Sequence, residues 1–84
     1  MRFYVYLIVA KVKKKTISYV GYTNNLNKRI NLHNTGKGAK FTKGNKWKLI
    51  YYEIYYSRAE AMKNEYSLKK NYYLRNKLKI GNKI

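Results

Sequence analysis

The chain opens on an alternating run. From Phe3 to Lys11 the residues are mostly β-branched, aliphatic or aromatic, which predicts a strand. At period two, Phe3, Val5, Leu7 and Val9 fall on one side, taken as the core side, and Tyr4, Tyr6 and Ile8 on the other. A lysine turn at Lys13 to Lys15 leads into a second strand over about Thr16 to Tyr22. The pair reads as a hairpin whose turn lacks Gly, Asn and Asp, so its loop length stays open. In the second strand Val20 is the natural core residue, and Tyr19 and Gly21 point away from it. Opposed residues of an antiparallel pair point the same way. A connection with an even number of residues sets even positions against odd ones and brings Tyr6 and Tyr19 to one face.

The period then changes. Leu26, Arg29, Ile30 and His33 fall at i, i+3, i+4 and i+7, a helix opened by Thr23 or Asn24 as cap and closed near Asn34, with Gly36 as the stop. Arg29 and His33 lie one turn apart beside the apolar stripe, within reach of each other. A polar loop runs from Thr35 to Lys46, and Trp47 to Tyr56 predicts a third strand in which Trp47, Tyr51 and Tyr55 serve sheet packing. Ser57 and Glu60 form a capping box for a helix reaching about Lys70, which breaks near Asn71 into a short basic helix, Tyr72 to Lys79. Ala61, Met62, Leu68 and Tyr72 mark the expected buried stripe of the capped helix. Glu65 lies among them, and an inward carboxylate is costly unless paired or bound to metal. The resulting order, β-β-α-β-α-α, predicts an α/β fold with a small antiparallel sheet flanked by helices.

Charge narrows the partner. Twenty Lys and Arg against three acids give a net charge of +17 on 84 residues. A field of that strength attracts polyanions, and nucleic acid is the expected partner. The run Gly36-Lys37-Gly38-Ala39-Lys40 is glycine-rich and basic, which suits close approach to phosphate; Lys37, Lys40, Lys43 and Lys69 are the expected nucleic-acid contacts. The three acids are Glu53, Glu60 and Glu65, with no Asp, so a site built on two or three clustered carboxylates is excluded. With no Cys and one His there is neither a disulfide scaffold nor a structural zinc module. The apolar run from Phe3 is too short for a signal segment and ends at Lys11, and its length excludes a membrane span. The expectation is an intracellular protein of a bacterium-like cytoplasm with no membrane partner. The length predicts one domain, 1–84, with 72–84 a short basic helix or tail and a core burying roughly 60 to 65% of the unfolded surface.

Five residues stand out: Tyr6, Tyr19, Arg29, His33 and Glu65. Taken singly each has a plainer reading. Glu65 can pair with Lys69 at i+4, Arg29 can belong to a solvated basic face, His33 can answer the helix dipole, and the tyrosines can be sheet-surface aromatics. Their order decides between the two readings. The chain resembles the GIY-YIG nuclease family, in which two short hairpin motifs precede an arginine on the first helix and a glutamate on a later one. Val5-Tyr6-Leu7 stands for the first motif, Tyr19-Val20-Gly21 for the second, Arg29 for the arginine and Glu65 for the glutamate. The stretches Arg29-x-x-x-His33-x-x-Gly36-Lys37-Gly38-Ala39-Lys40 and Asn64-Glu65-Tyr66-x-x-Lys69 are similar to those of small stand-alone bacterial members. The first motif lacks its Gly and Ile, Val20 stands inside the second, and the late Asn of many members has two candidate counterparts, Asn71 and Asn76.

The resemblance implies a three-stranded sheet of the β-β-α-β-α-α type and a metal-dependent endonuclease, with DNA as the expected substrate and little sequence specificity. It implies one divalent ion, Mg²⁺ or Mn²⁺, held by Glu65 with several waters. Tyr6, with His33 and neighbouring cations lowering its pKa, would position or deprotonate the attacking water. Tyr19 would orient the phosphate, and Arg29 would bind the charge that grows on it. Two alternatives stand beside this one: a binding module of the same fold without catalysis, and a catalytic subunit that needs a separate protein partner.

Overall fold

The computed structural model describes residues 1–81. Two strands, β1 (Phe3–Val12) and β2 (Lys15–Thr23), are joined by Lys13 and Lys14 alone, with Lys13 at φ 59. That two-residue connection supplies the even parity. Tyr6 sits opposite Gly21 and Ile8 opposite Tyr19, so Tyr6 and Tyr19 share a face. β3 (Lys48–Tyr55) pairs antiparallel with the other edge of β1, giving the order β2-β1-β3.

The central strand is buried on both sides. On one face Phe3, Val5 and Leu7 pack with Val20 and with Ala61 and Leu68 of α2 (Arg58–Lys70). On the other Tyr6, Ile8 and Ala10 pack with Trp47 and with Leu26 and Ile30 of α1 (Leu26–Asn34). The alternation therefore identifies one core face correctly and misses the second, because α1 and its following loop cover the side where tyrosine replaces aliphatic residues. A bulge between Leu7 and Ile8 sets Tyr51 and Leu49 against them and leaves Ile50 as the extra residue. Trp47 and Leu49 consequently face α1, while Tyr51 and Tyr55 face α2 and α3 (Tyr72–Gly81).

The helix ends follow local chemistry. Asn25, one residue later than expected, caps α1 by accepting from the Lys28 N–H. At its C-terminus Gly36 at φ 80 lets its own N–H reach the His33 carbonyl and the Lys37 N–H reach that of Leu32, a Schellman closure. Ser57 caps α2 through the Glu60 N–H, as the capping box predicts. The stripe of α2 is narrower than expected: Ala61 and Leu68 are buried, but Met62 is 49% and Tyr72 67% exposed. Asn71 breaks the helix and caps α3 with its side chain, changing the helical phase so that Leu74 and Leu78, not Tyr72, pack against the core. Among the described residues no helix is long and apolar enough to cross a membrane.

Candidate active site

Tyr6 lies mid-strand with its ring across β2. A Cβ at Gly21 would fall 2.6 Å from Tyr6 Cζ and closer still to its hydroxyl, so glycine opposite Tyr6 is what lets the ring lie there. The hydroxyl meets His33 Nε2 at 2.7 Å. His33 comes from the last turn of α1, held inward by Leu26 and Ile30 on the same stripe, and is fully buried. The Tyr19 ring lies 5.1 Å from the imidazole, centroid to centroid.

A second hydroxyl fixes the ring from behind. Thr42, fully buried in the α1–β3 loop, lies 2.9 Å from His33 Nδ1. Its Oγ1 donates to the Ala39 carbonyl at 3.0 Å and accepts from the Ala39 N–H at 3.2 Å. The lone pair left over takes the proton of Nδ1, an assignment made by completing the hydrogen bonds, and it leaves Nε2 to accept from Tyr6. Gly38 closes the pocket: a Cβ there would fall 2.9 Å from His33 Cα and Cγ. The loop is pinned in turn by Trp47, whose indole N–H donates to the Thr42 carbonyl at 2.8 Å. Asn34 holds the Trp47 backbone at both its N–H and its carbonyl. Nothing in the sequence marks Thr42, one hydroxyl residue in a polar basic loop.

Burial dominates the electrostatics. Removal from water, with the Arg29 charge adding to it, lowers His33 to about 4, so the imidazole is neutral at pH 7. The expectation that cations lower Tyr6 is corrected. Burial raises it, and the opposing pull of Arg29, through hydrogen bonding and charge, does not overcome that rise. Tyr19 and Glu65 push the same phenol further up. Arg29, Tyr19 and Glu65 thus all act electrostatically on the Tyr6 phenol.

Glu65 approaches from α2. Its side chain is 18% exposed and pairs with Lys69 at 3.5 Å, so the plainer i, i+4 reading is realised alongside the charge effect of Glu65 on Tyr6. The other acids are engaged elsewhere. On the α2 face Glu53 accepts from the Tyr51 and Tyr55 hydroxyls, each at 2.6 Å, which holds its carboxyl below the usual range. Glu60 belongs to the cap of α2. Lys37, Lys40 and Lys43 are exposed along the α1–β3 loop. Of the two late asparagines, Asn71 uses its side-chain oxygen to cap α3.

Among the described residues no three His, Asp or Glu side chains gather into a metal cluster. A hydrated divalent ion does not require one, since Mg²⁺ keeps several waters and takes one or two carboxylates together with substrate phosphate. The partly exposed Glu65 carboxylate fits that donor set.

Comparison with known proteins identifies the family. The family profile described as GIY-YIG catalytic domain matches residues 2–79. A UPF0213 protein of Clostridium perfringens is 47% identical over 66 residues, covering 77% of this chain and 70% of its own. One of Staphylococcus haemolyticus is 45% identical over 65 residues, covering 76% and 78%. The solution structure of a UPF0213 protein from Bacillus halodurans is 38% identical, covers 82% of this chain and 71% of its own, and superimposes with a TM-score of 0.45. The chain belongs to the GIY-YIG catalytic domain family.

Proposed function

We propose that residues 1–84 form one nuclease domain that hydrolyses phosphodiester bonds of nucleic acid, DNA first, with a divalent ion and little sequence specificity. The observation that carries this reading is the convergence on one hydroxyl. Tyr6 donates to a buried neutral imidazole from α1, while the Arg29 guanidinium of the same helix and the Glu65 carboxylate of α2 act on its charge. A sheet aromatic with a purely structural role has no need of that company.

The residues divide the work as follows. Tyr6 donates a hydrogen bond to His33 Nε2 and keeps a lone pair for a water. As that water attacks phosphorus it becomes acidic. Its proton passes to the Tyr6 oxygen while the Tyr6 proton passes to His33, so no free tyrosinate forms. This suits a phenol whose pKa is raised. The new P–O bond forms as the bond to the leaving oxygen breaks; that oxygen takes a proton from solvent, and His33 afterwards returns its extra proton through Tyr6 to solvent, restoring the neutral imidazole. Arg29 binds the charge gathering on the phosphoryl oxygens, where a planar fork serves better than an ammonium. Tyr19, against His33, orients the phosphate. Glu65 would hold Mg²⁺ or Mn²⁺, which when bound supplies a Lewis acid and neutralises phosphate charge. Lys37, Lys40, Lys43 and Lys69 hold the polyanion.

The Glu65–Lys69 ion pair is what a non-catalytic binding module would keep, so that reading stands second. One experiment separates the two. Purified protein is incubated with labelled duplex, single-stranded and branched DNA and with RNA, each with Mg²⁺, Mn²⁺ or EDTA. Cleavage that needs metal and disappears in Glu65→Gln supports the nuclease; binding without cleavage in every arm supports the module.

A further inference from the structure

The α1–β3 loop carries an aromatic ring that the relay does not use. Phe41 is 58% exposed. Its inner face rests on Tyr19, 6.1 Å between centroids and 21° from parallel, and Trp47 lies 6.2 Å away. The neighbouring Thr42 is the buried residue that holds His33, so the backbone bearing Phe41 is fixed to the centre of the site. Lys40, next to Phe41 in the chain, and Lys43, two residues beyond it, are both exposed on the same loop. The same loop lines a cleft of about 440 Å³ with Gly36, Lys43 and Lys46.

We propose that Phe41 is a stacking platform for an unpaired base next to the reacting phosphate, and that the site therefore takes single-stranded polynucleotide or an unpaired junction. The inference rests on the nuclease reading for the words "reacting phosphate" and on its own observations for the rest. An exposed ring backed by a second ring, on a loop that also exposes Lys40 and Lys43, meets both needs of a flexible strand, a flat apolar face for the base and cations for the phosphates. Duplex DNA has its base faces covered by their neighbours and must unstack to reach such a ring, whereas a single strand offers them at once. Phe41 has no hydrogen-bonding group, so the contact is indifferent to base identity and to the 2′-hydroxyl. It is a specificity residue for substrate form, not for sequence.

The test is equilibrium binding in EDTA, read by fluorescence anisotropy, so that no cleavage is required. The probes are labelled oligodeoxythymidylate, oligouridylate, an abasic strand of equal length and charge, and a duplex of that length. Wild-type protein is expected to prefer the base-bearing strands over the abasic strand. Phe41→Leu, which keeps the apolar contact with Tyr19 but has no flat face, is expected to lose about fivefold or more on both base-bearing strands. It should lose less than twofold on duplex and no longer distinguish the abasic strand, while Phe41→Trp keeps the preference. Unchanged binding by Phe41→Leu, or an equal loss on single strand and duplex, overturns the proposal, as does a loss confined to one sugar type. Should Phe41→Leu fail to fold, the wild-type comparison decides alone, and equal affinity for abasic and base-bearing strands overturns it. If the preference depends on Phe41 but Mg²⁺ brings no cleavage, stacking stands and the nuclease reading falls; cleavage that ignores the bases does the reverse.

Discussion

The Tyr6 hydroxyl stands 2.7 Å from Nε2 of a fully buried His33, and this bond ties the middle of the central strand to the last turn of α1. It is at once a core contact and the centre of the proposed relay, and removing it tests both roles. Tyr6→Phe keeps the ring over Gly21 and leaves Nε2 buried without a partner, a loss of about 1 to 3 kcal/mol in stability. Single-turnover cleavage should fall by about 10²-fold or more. Urea midpoints and cleavage rates on the same preparation check this. A variant that is destabilised yet cuts at the normal rate would leave Tyr6 a packing residue only.

His33 also sets an acid limit. Its folded pKa of about 4 lies below the usual 6.5, so between those values the unfolded chain binds more protons than the folded one. Stability then rises with pH across that window and is lost as pH falls from about 6.5 toward 4. The full difference is on the order of 3 kcal/mol. Urea unfolding at pH 7, 6, 5 and 4.5 should show this slope in wild type and a shallower one in His33→Gln. A cleavage profile with a step near 6.5 that disappears in His33→Gln would contradict a neutral, desolvated imidazole.

Gly21 is the steric counterpart of Tyr6. In Gly21→Ala the added methyl meets the phenol, and either the ring or the strand must move, at a cost of about 1 to 3 kcal/mol. A double-mutant cycle with Tyr6→Phe isolates the hydroxyl's share, because that variant removes the closest contact. The expected coupling is favourable, so that Ala at 21 is better tolerated with Phe at 6. Strict additivity would mean that the two side chains do not collide.

The elements were legible because each carries its own signal. Alternation marks β1, the Ser57 and Glu60 box marks the start of α2, Gly36 marks the end of α1, and the parity argument for Tyr6 and Tyr19 needed only an even loop. What stayed hidden depends on tertiary contact. The second core face reads as tyrosine-rich surface until α1 and the loop cover it, and the bulge at Ile50 sends Trp47 and Tyr51 to opposite faces without any sequence mark. The sign of the Tyr6 shift turns on burial against Arg29, a balance that no local pattern contains. Thr42 matters only because the chain folds back onto His33.

Glu65 is shared between two partners in the proposed site, and the sharing is testable. Glu65→Gln should abolish metal-dependent cleavage and leave nucleic-acid affinity unchanged or slightly higher, since a negative charge near phosphate is removed. Lys69, itself exposed, competes for the same carboxylate through an i, i+4 pair worth about 0.3 to 0.5 kcal/mol. Lys69→Ala should therefore lower the Mg²⁺ concentration at half-maximal cleavage while weakening binding by about one phosphate contact's worth of salt dependence. A Mg²⁺ requirement that is unmoved, or that rises, would show that Lys69 does not compete.

Arg29 separates catalysis from the general basic field. The chain has 20 Lys and Arg, so removing one should lower nonspecific affinity by roughly a single counterion's contribution. Losing a contact made to the transition state should cost about 10²-fold or more in cleavage rate. Arg29→Lys keeps the charge and loses the planar fork, so it is expected to bind normally and cut poorly, and Arg29→Ala to cut no better. Lys63→Ala, on the exposed side of α2, is the control for a lost surface cation and should cut at nearly the normal rate. Removing the guanidinium also takes away the pull that opposes the rise in Tyr6, so the phenol should titrate at higher pH in Arg29→Ala than in wild type. Ultraviolet difference titration of tyrosinate, with Tyr6→Phe to identify the signal, reads that shift independently of cleavage. Equal and small rate losses in all three variants, with no movement of the Tyr6 titration, would return Arg29 to the solvated basic face.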